Sequence, residues 1–167
     1  MKKTEKTNWG GGWTEQKLEA FEKYVSVYLT IMLNQRKKYN GWPQKIIYFD
    51  GFAGSGNRNV EDEINNNNNT IPLISLNIQQ IETKLYQGSA ERVLSLEKKF
   101  DEYYFVDINR NALLSLRDKV STLCDNNCHF ISEDVNEVLS VFAKKLTSKD
   151  VSLILLDPFG MQVKWAS

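Results

Sequence analysis

Short, densely apolar runs alternate along this chain with longer stretches in which apolar residues recur at helical spacing. Ile46-Ile47-Tyr48-Phe49 is β-branched and aromatic at every position, as a strand buried on both faces requires. Tyr103-Tyr104-Phe105-Val106, His129-Phe130-Ile131 and Val151-Ser152-Leu153-Ile154-Leu155-Leu156 predict three further strands. Between them, Val93, Leu96 and Phe100, then Leu113, Leu116, Val120 and Leu123, then Leu139, Phe142 and Leu146 mark three helical faces. Strands separated by helices predict a parallel α/β sheet.

Ahead of the first strand, Leu18, Phe21, Val25, Leu29 and Met32 form a stripe that predicts a helix from about residue 14 to about residue 39. Thr14 is the expected cap, Trp13 and Leu18 the expected staple, and Arg36-Lys37-Lys38 complements the negative end. That basic cluster could touch a nucleic-acid phosphate, but serving the helix end is the commoner use and the favoured reading. Asn40-Gly41-Trp42-Pro43 then breaks the helix. Ser89, Asn109 and Asn136 are the expected caps of the later helices.

Each strand runs into an acid. The first opens into Asp50-Gly51-Phe52-Ala53-Gly54-Ser55-Gly56, where three glycines let the backbone turn sharply and approach a ligand closely. Asn57 and Arg58 follow, so the lysine and hydroxyl of an ATP-type phosphate loop are missing. The second, third and fourth strands lead to Asp107, Asp134 and Asp157. Ligands of parallel sheets sit outside the carboxyl ends of the strands, where these acids fall. Singly, each acid is an ordinary helix cap or turn former.

As a set, the acids describe an adenosine site. Asp107 can accept both ribose hydroxyls, and Asp134 can accept the exocyclic amine of adenine with the Val135 backbone beside it. The glycine loop carries neither a third phosphate-type glycine nor a base, which suits an uncharged or zwitterionic group better than a pyrophosphate. S-adenosylmethionine is thereby favoured over NAD.

Composition narrows the field. At 167 residues and 41% apolar content the chain suits one domain, with residues 57–87 as an insertion. The insertion holds the asparagine run 65–69 and the apolar Ile71-Pro72-Leu73-Ile74-Ser75-Leu76, which could form a lid near the cofactor or an ordered surface loop. Twenty-one basic and twenty-one acidic residues give no global field for nucleic acid, so such a contact would be local. With no long apolar span and no signal-like start, the expectation is a soluble, cytoplasmic protein. Cys124 and Cys128 give no disulfide framework; a zinc site with His129 is weighed and set aside, because Cys128 and His129 point to opposite faces of a strand. His129 is the only histidine, with no marked partner for hydrolase chemistry.

Asp50-Gly51-Phe52-Ala53-Gly54-Ser55-Gly56, Asp107, Asp134 and Asp157-Pro158-Phe159-Gly160 resemble motifs I to IV of the class I S-adenosylmethionine-dependent methyltransferases. The leading helix, Tyr48 to Gly54, the insertion ending at Gly88-Ser89-Ala90, and Leu156 to Trp165 resemble more narrowly the three-Cys-motif partner proteins, bacterial and phage-linked proteins read as methyltransferase-like. The resemblance implies a Rossmann-like class I methyltransferase fold with an N-terminal helix. It implies S-adenosylmethionine contacts at Asp50, Gly51, Phe52, Ala53, Gly54, Ser55, Gly56, Asp107, Ile108, Asp134 and Val135. It also implies chemistry at Asp157, Pro158 and Phe159: the Asp157 carboxylate and the Pro158 carbonyl would orient an acceptor amine, with Phe159 shaping its pocket. No metal is implied. Amino-group methyltransferases carry a second proline and an aromatic in that motif, where this chain has Phe159 and Gly160, so base methylation is in doubt.

The resemblance gives a complete sheet the order 3-2-1-4-5-7-6, whereas residues 1–167 supply only the first half, 3-2-1-4. A truncated domain is the expectation, with a second copy or a partner protein covering the edge strand 151–156. The leading functional expectation is methyl transfer to an amine of nucleic acid or protein. The alternative is a non-catalytic partner-binding module in a phage or defence setting. An NAD-dependent oxidoreductase is disfavoured because Gly-x-Gly-x-x-Gly is absent.

Overall fold

A computed structural model describes residues 11–55 and 88–157, with side chains from Gln16 onward. Among the described residues four helices and four strands follow one another as α1 (Gly11–Lys38), β1 (Lys45–Asp50), α2 (Ser89–Ser95), β2 (Glu102–Val106), α3 (Arg110–Lys119), β3 (Cys128–Ile131), α4 (Val135–Lys145) and β4 (Asp150–Leu155). All strand pairs are parallel and the sheet order is β3-β2-β1-β4. The architecture is α/β with a parallel sheet, as the spacing of apolar runs predicts, and it is compatible with a Rossmann-like fold. The insertion 57–87 and Gly56 lie outside the described residues, as do residues 158–167.

The crossover rule explains which face each helix takes. From β1 to β2 to β3 the chain steps outward in one direction, so right-handed crossovers put α2 and α3 on one face. From β3 it returns past β1 to β4, which reverses the direction and puts α4 on the other. The side chains of β1 divide accordingly. Ile46 and Tyr48 join Val25 and Leu29 of α1, Val93 of α2 and Leu116 of α3. Ile47 and Phe49 face Val135, Val138 and Phe142 of α4. A strand covered on both faces has no place for a polar alternation, which is why Ile46 to Phe49 reads as one apolar run.

Aromatic rings fill much of both layers. Tyr48 lies 6.1 Å from Phe105 and 5.4 Å from Phe100, and Phe105 stacks on Phe130 at 5.3 Å. On the opposite face Phe49 and Tyr104 meet Phe142 at 4.8 Å and 5.1 Å. Each such pair adds about 0.5–1.5 kcal/mol to what burial alone supplies.

Four helix boundaries differ from expectation. α1 begins at Gly11, so Thr14 lies within the helix and is not its cap; the Trp13 staple falls on a side chain outside the described set. α2 ends at Ser95, with Leu96 as its C-cap, so Phe100 belongs to the approach to β2. Its N-cap is Gly88, not Ser89, and α4 is capped by Asp134, not Asn136: the Asp134 carboxylate accepts from the Asn136 N–H at 2.7 Å. Asn109 caps α3 as expected, accepting from the Asn111 and Ala112 N–H groups at 3.1 Å each.

The amino end of the sheet is clamped by charge. The α1 helix exits through Asn40, at φ 50°, and the Gly41 N–H bonds back to the Arg36 carbonyl at 2.9 Å, the pattern that closes a helix C-terminus. Arg36 then reaches the Pro43 and Gln44 carbonyls and pairs with Asp101. Asp101 in turn accepts from the Ile46 N–H at 2.6 Å. The basic cluster therefore serves the helix exit and the strand entrance through Arg36. No helix among the described residues is long and apolar enough to cross a membrane.

Candidate functional site

The opposite, carboxyl end of the sheet gathers the sequence-predicted acids. β1 sits between β2 and β4, and the direction of strand order reverses at the β1–β4 pair, the place where open parallel sheets form a ligand crevice. The loop leaving β1 is stitched to both neighbours. Gly51 donates its N–H to the Leu155 carbonyl at 3.0 Å, Ala53 donates to the Val106 carbonyl at 3.0 Å, and Gly54 donates to the Asp107 carboxylate at 2.8 Å.

Two glycines in this loop are required for different reasons. A Cβ on Gly51 would stand 2.6 Å from Leu156 Cδ2 and 2.7 Å from Val135 Cγ2, so the absence of a side chain lets the loops after β1, β3 and β4 converge. Gly54 has φ +60°, a left-handed conformation that other residues adopt at a cost, and among the described residues nothing lies within 4 Å of its would-be Cβ. The loop thus presents bare backbone to open space at Gly54 while packing tightly at Gly51.

Asp50 ends β1 and is 1% exposed. Its Oδ2 accepts from Ser89 Oγ at 2.9 Å and from the Tyr48 hydroxyl at 3.2 Å, and its Oδ1 accepts from the Phe52 N–H at 3.2 Å. Burial pushes the carboxyl up to about 6; the three hydrogen bonds pull the other way, and the charge of Asp157 adds to the rise. The Tyr48 hydroxyl is held well above the usual phenol range by the same burial and by Asp50. Asp50 therefore organises the loop from beneath.

Asp107 follows β2 and is half-buried. Its Oδ2 accepts from Gly54 and its Oδ1 from the Asn109 N–H, both at 2.8 Å. A carboxylate has about four lone-pair positions, so two backbone donors leave it acceptor capacity for a diol. Ile108 beside it is 76% exposed. Asp134 is exposed and caps α4, while Val135 is buried against Gly51. Phe52 is half-buried against the α4 face, and Ser55 is half-buried.

Asp157 lies just beyond β4 with its side chain 60% exposed, and both carboxylate oxygens take bonds from Lys17 Nζ, at 2.6 Å and 2.8 Å. Pro158, Phe159 and Gly160 lie outside the described residues. The structure thus brings together Asp50, the glycine loop, Asp107, Val135 and Asp157. It adds three residues that the sequence reading did not assign to the site. Tyr48 carries a signal in hindsight, standing two residues before Asp50 and so on the same strand face. Ser89 reads as a cap, and Lys17 stands 140 positions from its partner with nothing to connect them.

Among the described residues no group of three or more histidine, cysteine or acidic side chains is placed to hold a metal. Comparison of the chain with protein-family models, with curated proteins and with solved structures gave no match.

Proposed function

We propose that this chain is a methyltransferase-like domain that binds S-adenosylmethionine at the carboxyl end of β1 and β2. The observation that carries the reading is the Gly54 to Asp107 hydrogen bond, which sets a left-handed, side-chain-free loop residue beside an acid with acceptor capacity. Asp107 would take the ribose hydroxyls and the exposed Ile108 would lie against the adenine. Asp134 and Val135 would flank the base edge. Asp50, buried under the loop, would hold Phe52 and Ser89 in place without touching the ligand. The cofactor would supply a methyl group activated on a sulfonium, and Asp157 with the Pro158 carbonyl and Phe159 would position an amine of nucleic acid or protein; catalysis of this kind rests on proximity and desolvation.

A second reading, a non-catalytic partner-binding module that retains the adenosine site, is favoured by the Lys17–Asp157 pair. Lys17 neutralises the acid that would receive an acceptor amine. On that reading the edge strand β4, which exposes Ile154, pairs with a second copy or a partner protein.

Calorimetric titration of the chain with S-adenosylmethionine and with S-adenosylhomocysteine tests the proposal, with Asp107→Ala alongside. Saturable binding that weakens at least about tenfold in the variant is the expected result. Absence of binding by a folded wild-type chain overturns the cofactor assignment. Binding without methyl transfer to nucleic-acid or protein amines selects the second reading.

A further inference from the structure

β3 is the outer strand on the side of the sheet away from β4, and among the described residues it pairs with β2 alone. The Tyr103 N–H bonds to the Asn127 carbonyl at 2.9 Å and the Asp107 N–H to the Ile131 carbonyl at 3.2 Å. Backbone groups of successive strand residues turn to opposite edges, so positions 127, 129 and 131 serve β2 while Cys128 and Phe130 turn theirs outward. The Cys128 N–H is taken by the Asp125 carbonyl of the preceding turn, at 3.4 Å. Phe130 therefore presents both a donor and an acceptor to the open edge, while its ring is anchored on Phe105.

The charges flanking that edge are ordered along it. Arg117 of α3 and Lys145 of α4 line the groove toward the amino end of β3. Glu133, just beyond β3, and Glu137, in the first turn of α4, line its continuation toward the carboxyl end. All four are exposed, and none forms an ion pair among the described residues. Asp125 adds an acid at the amino end, which leaves that end net basic and the carboxyl end acidic. On α4 the order is simplest. Glu137, Val141 and Lys145 stand four residues apart and so share one helix face, beside Tyr104 and Ile131. Val141, in the middle, is 52% exposed. A face that runs acid, apolar, base is complementary to its own reverse.

We propose that the β3 edge is the interface of a two-fold dimer of this chain, with β3 pairing antiparallel to β3 of a second copy. A two-fold axis perpendicular to the sheet at Phe130 lets each Phe130 exchange both backbone bonds with its counterpart, as the hydrogen-bonded pair of an antiparallel ladder does. The two four-stranded sheets become one continuous sheet, and each helix stays on its own face. α4 then lies antiparallel to α4 of the second copy, with Val141 against Val141 at the axis and Glu137 against Lys145 on either side of it. Arg117 comes toward Glu133 of the second copy, because the rotation brings the amino end of one groove to the carboxyl end of the other. A parallel pairing of the same edges sets like charge against like, which disfavours it. The dimer is independent of the adenosine site and uses the edge opposite β4.

Sedimentation velocity of the purified chain over a range of concentrations is the test, with circular dichroism confirming that each variant is folded. Wild type should show a reversible equilibrium between monomer and dimer, and a monomer at every concentration up to about 1 mM overturns the proposal. Glu137→Lys and Lys145→Glu each make both symmetric contacts repulsive and should weaken the dimer at least about tenfold. Mixing the two variants sets a stripe of two bases against a stripe of two acids, which should restore a dimer containing one chain of each. The two substitutions combined in one chain should restore it as well. A dimer indifferent to both single reversals, or one that mixing does not restore, overturns the assignment to the β3 edge. Ile154→Lys on the β4 edge should leave the dimer intact; dissociation by that variant alone assigns the interface to β4 and overturns the proposal.

Discussion

The Asp107 carboxylate receives the Gly54 N–H across the carboxyl ends of β1 and β2, while its other oxygen receives the Asn109 N–H ahead of α3. One side chain thereby fixes both the glycine loop and the start of the next helix. Its two oxygens each face a donor, so an amide of the same shape can satisfy only one of them. Asp107→Asn should cost about 1.5–3 kcal/mol in urea denaturation, and it should speed hydrogen exchange at the Gly54 amide. Unchanged exchange at Gly54 would show that the loop holds its shape without Asp107.

Gly51 and Gly54 should respond to alanine in opposite ways. At Gly51 the new methyl meets Leu156 and Val135, and Val135 is β-branched with little freedom to swing aside. Gly51→Ala should therefore cost about 1–3 kcal/mol of stability. At Gly54 the methyl enters open space, so the cost is the left-handed backbone alone, about 1–2 kcal/mol. That open space is where the proposed ligand would lie. Gly54→Ala should accordingly show the larger loss of S-adenosylhomocysteine affinity, measured by calorimetry on both variants, and the reverse ranking would place the ligand elsewhere.

The elements legible in the sequence are those whose signal is local. Ile46 to Phe49 announces a strand because both its faces are covered, and Asn109 announces a cap because its oxygen serves N–H groups two and three residues on. Where two residues of capping type stand close together, local preference does not choose between them. Asp134 takes the role expected of Asn136, which leaves the acid both a cap and a candidate ligand group. Long-range partners carry no local mark. Ser89 reaches Asp50 across 39 positions, and Asp101 joins Arg36 to the Ile46 N–H across 65 and 55. The acids at the strand ends were readable as a set, but which of them is buried and which exposed is decided by packing that no short window contains.

Asp50 gives the fold a pH dependence of known sign. Its carboxyl rises from an ordinary value of 3.8 to about 6 in the folded chain, so between those values the folded state holds a proton that the unfolded state has lost. The stability this contributes is complete below about pH 4 and disappears as pH rises through about 6, a change of the order of 3 kcal/mol. Other carboxylates titrate in the same window, so the difference between wild type and Asp50→Asn isolates the group. The variant should gain on wild type by that amount between pH 4 and pH 7 in urea denaturation. A difference independent of pH would mean that Asp50 is ionised in the folded protein throughout.

Lys17 and Asp157 extend that electrostatics to the β1–β4 crevice. Their pair is exposed, 51% at Lys17 and 60% at Asp157, so Lys17→Ala should change stability by less than about 1 kcal/mol. Its effect should appear at Asp50, whose carboxyl the Asp157 charge already pushes upward. Removing the lysine leaves that charge unbalanced, which should move the Asp50 midpoint further up; Asp157→Asn removes the charge and should move it down. A carbon-detected NMR titration of the Asp50 carboxyl reads both shifts. Opposite displacements would establish that the acid proposed to receive the acceptor amine and the acid beneath the glycine loop share one field, so that a cation arriving at Asp157 favours the charged form of Asp50. Identical midpoints in the two variants would separate the loop from the acceptor side of the crevice.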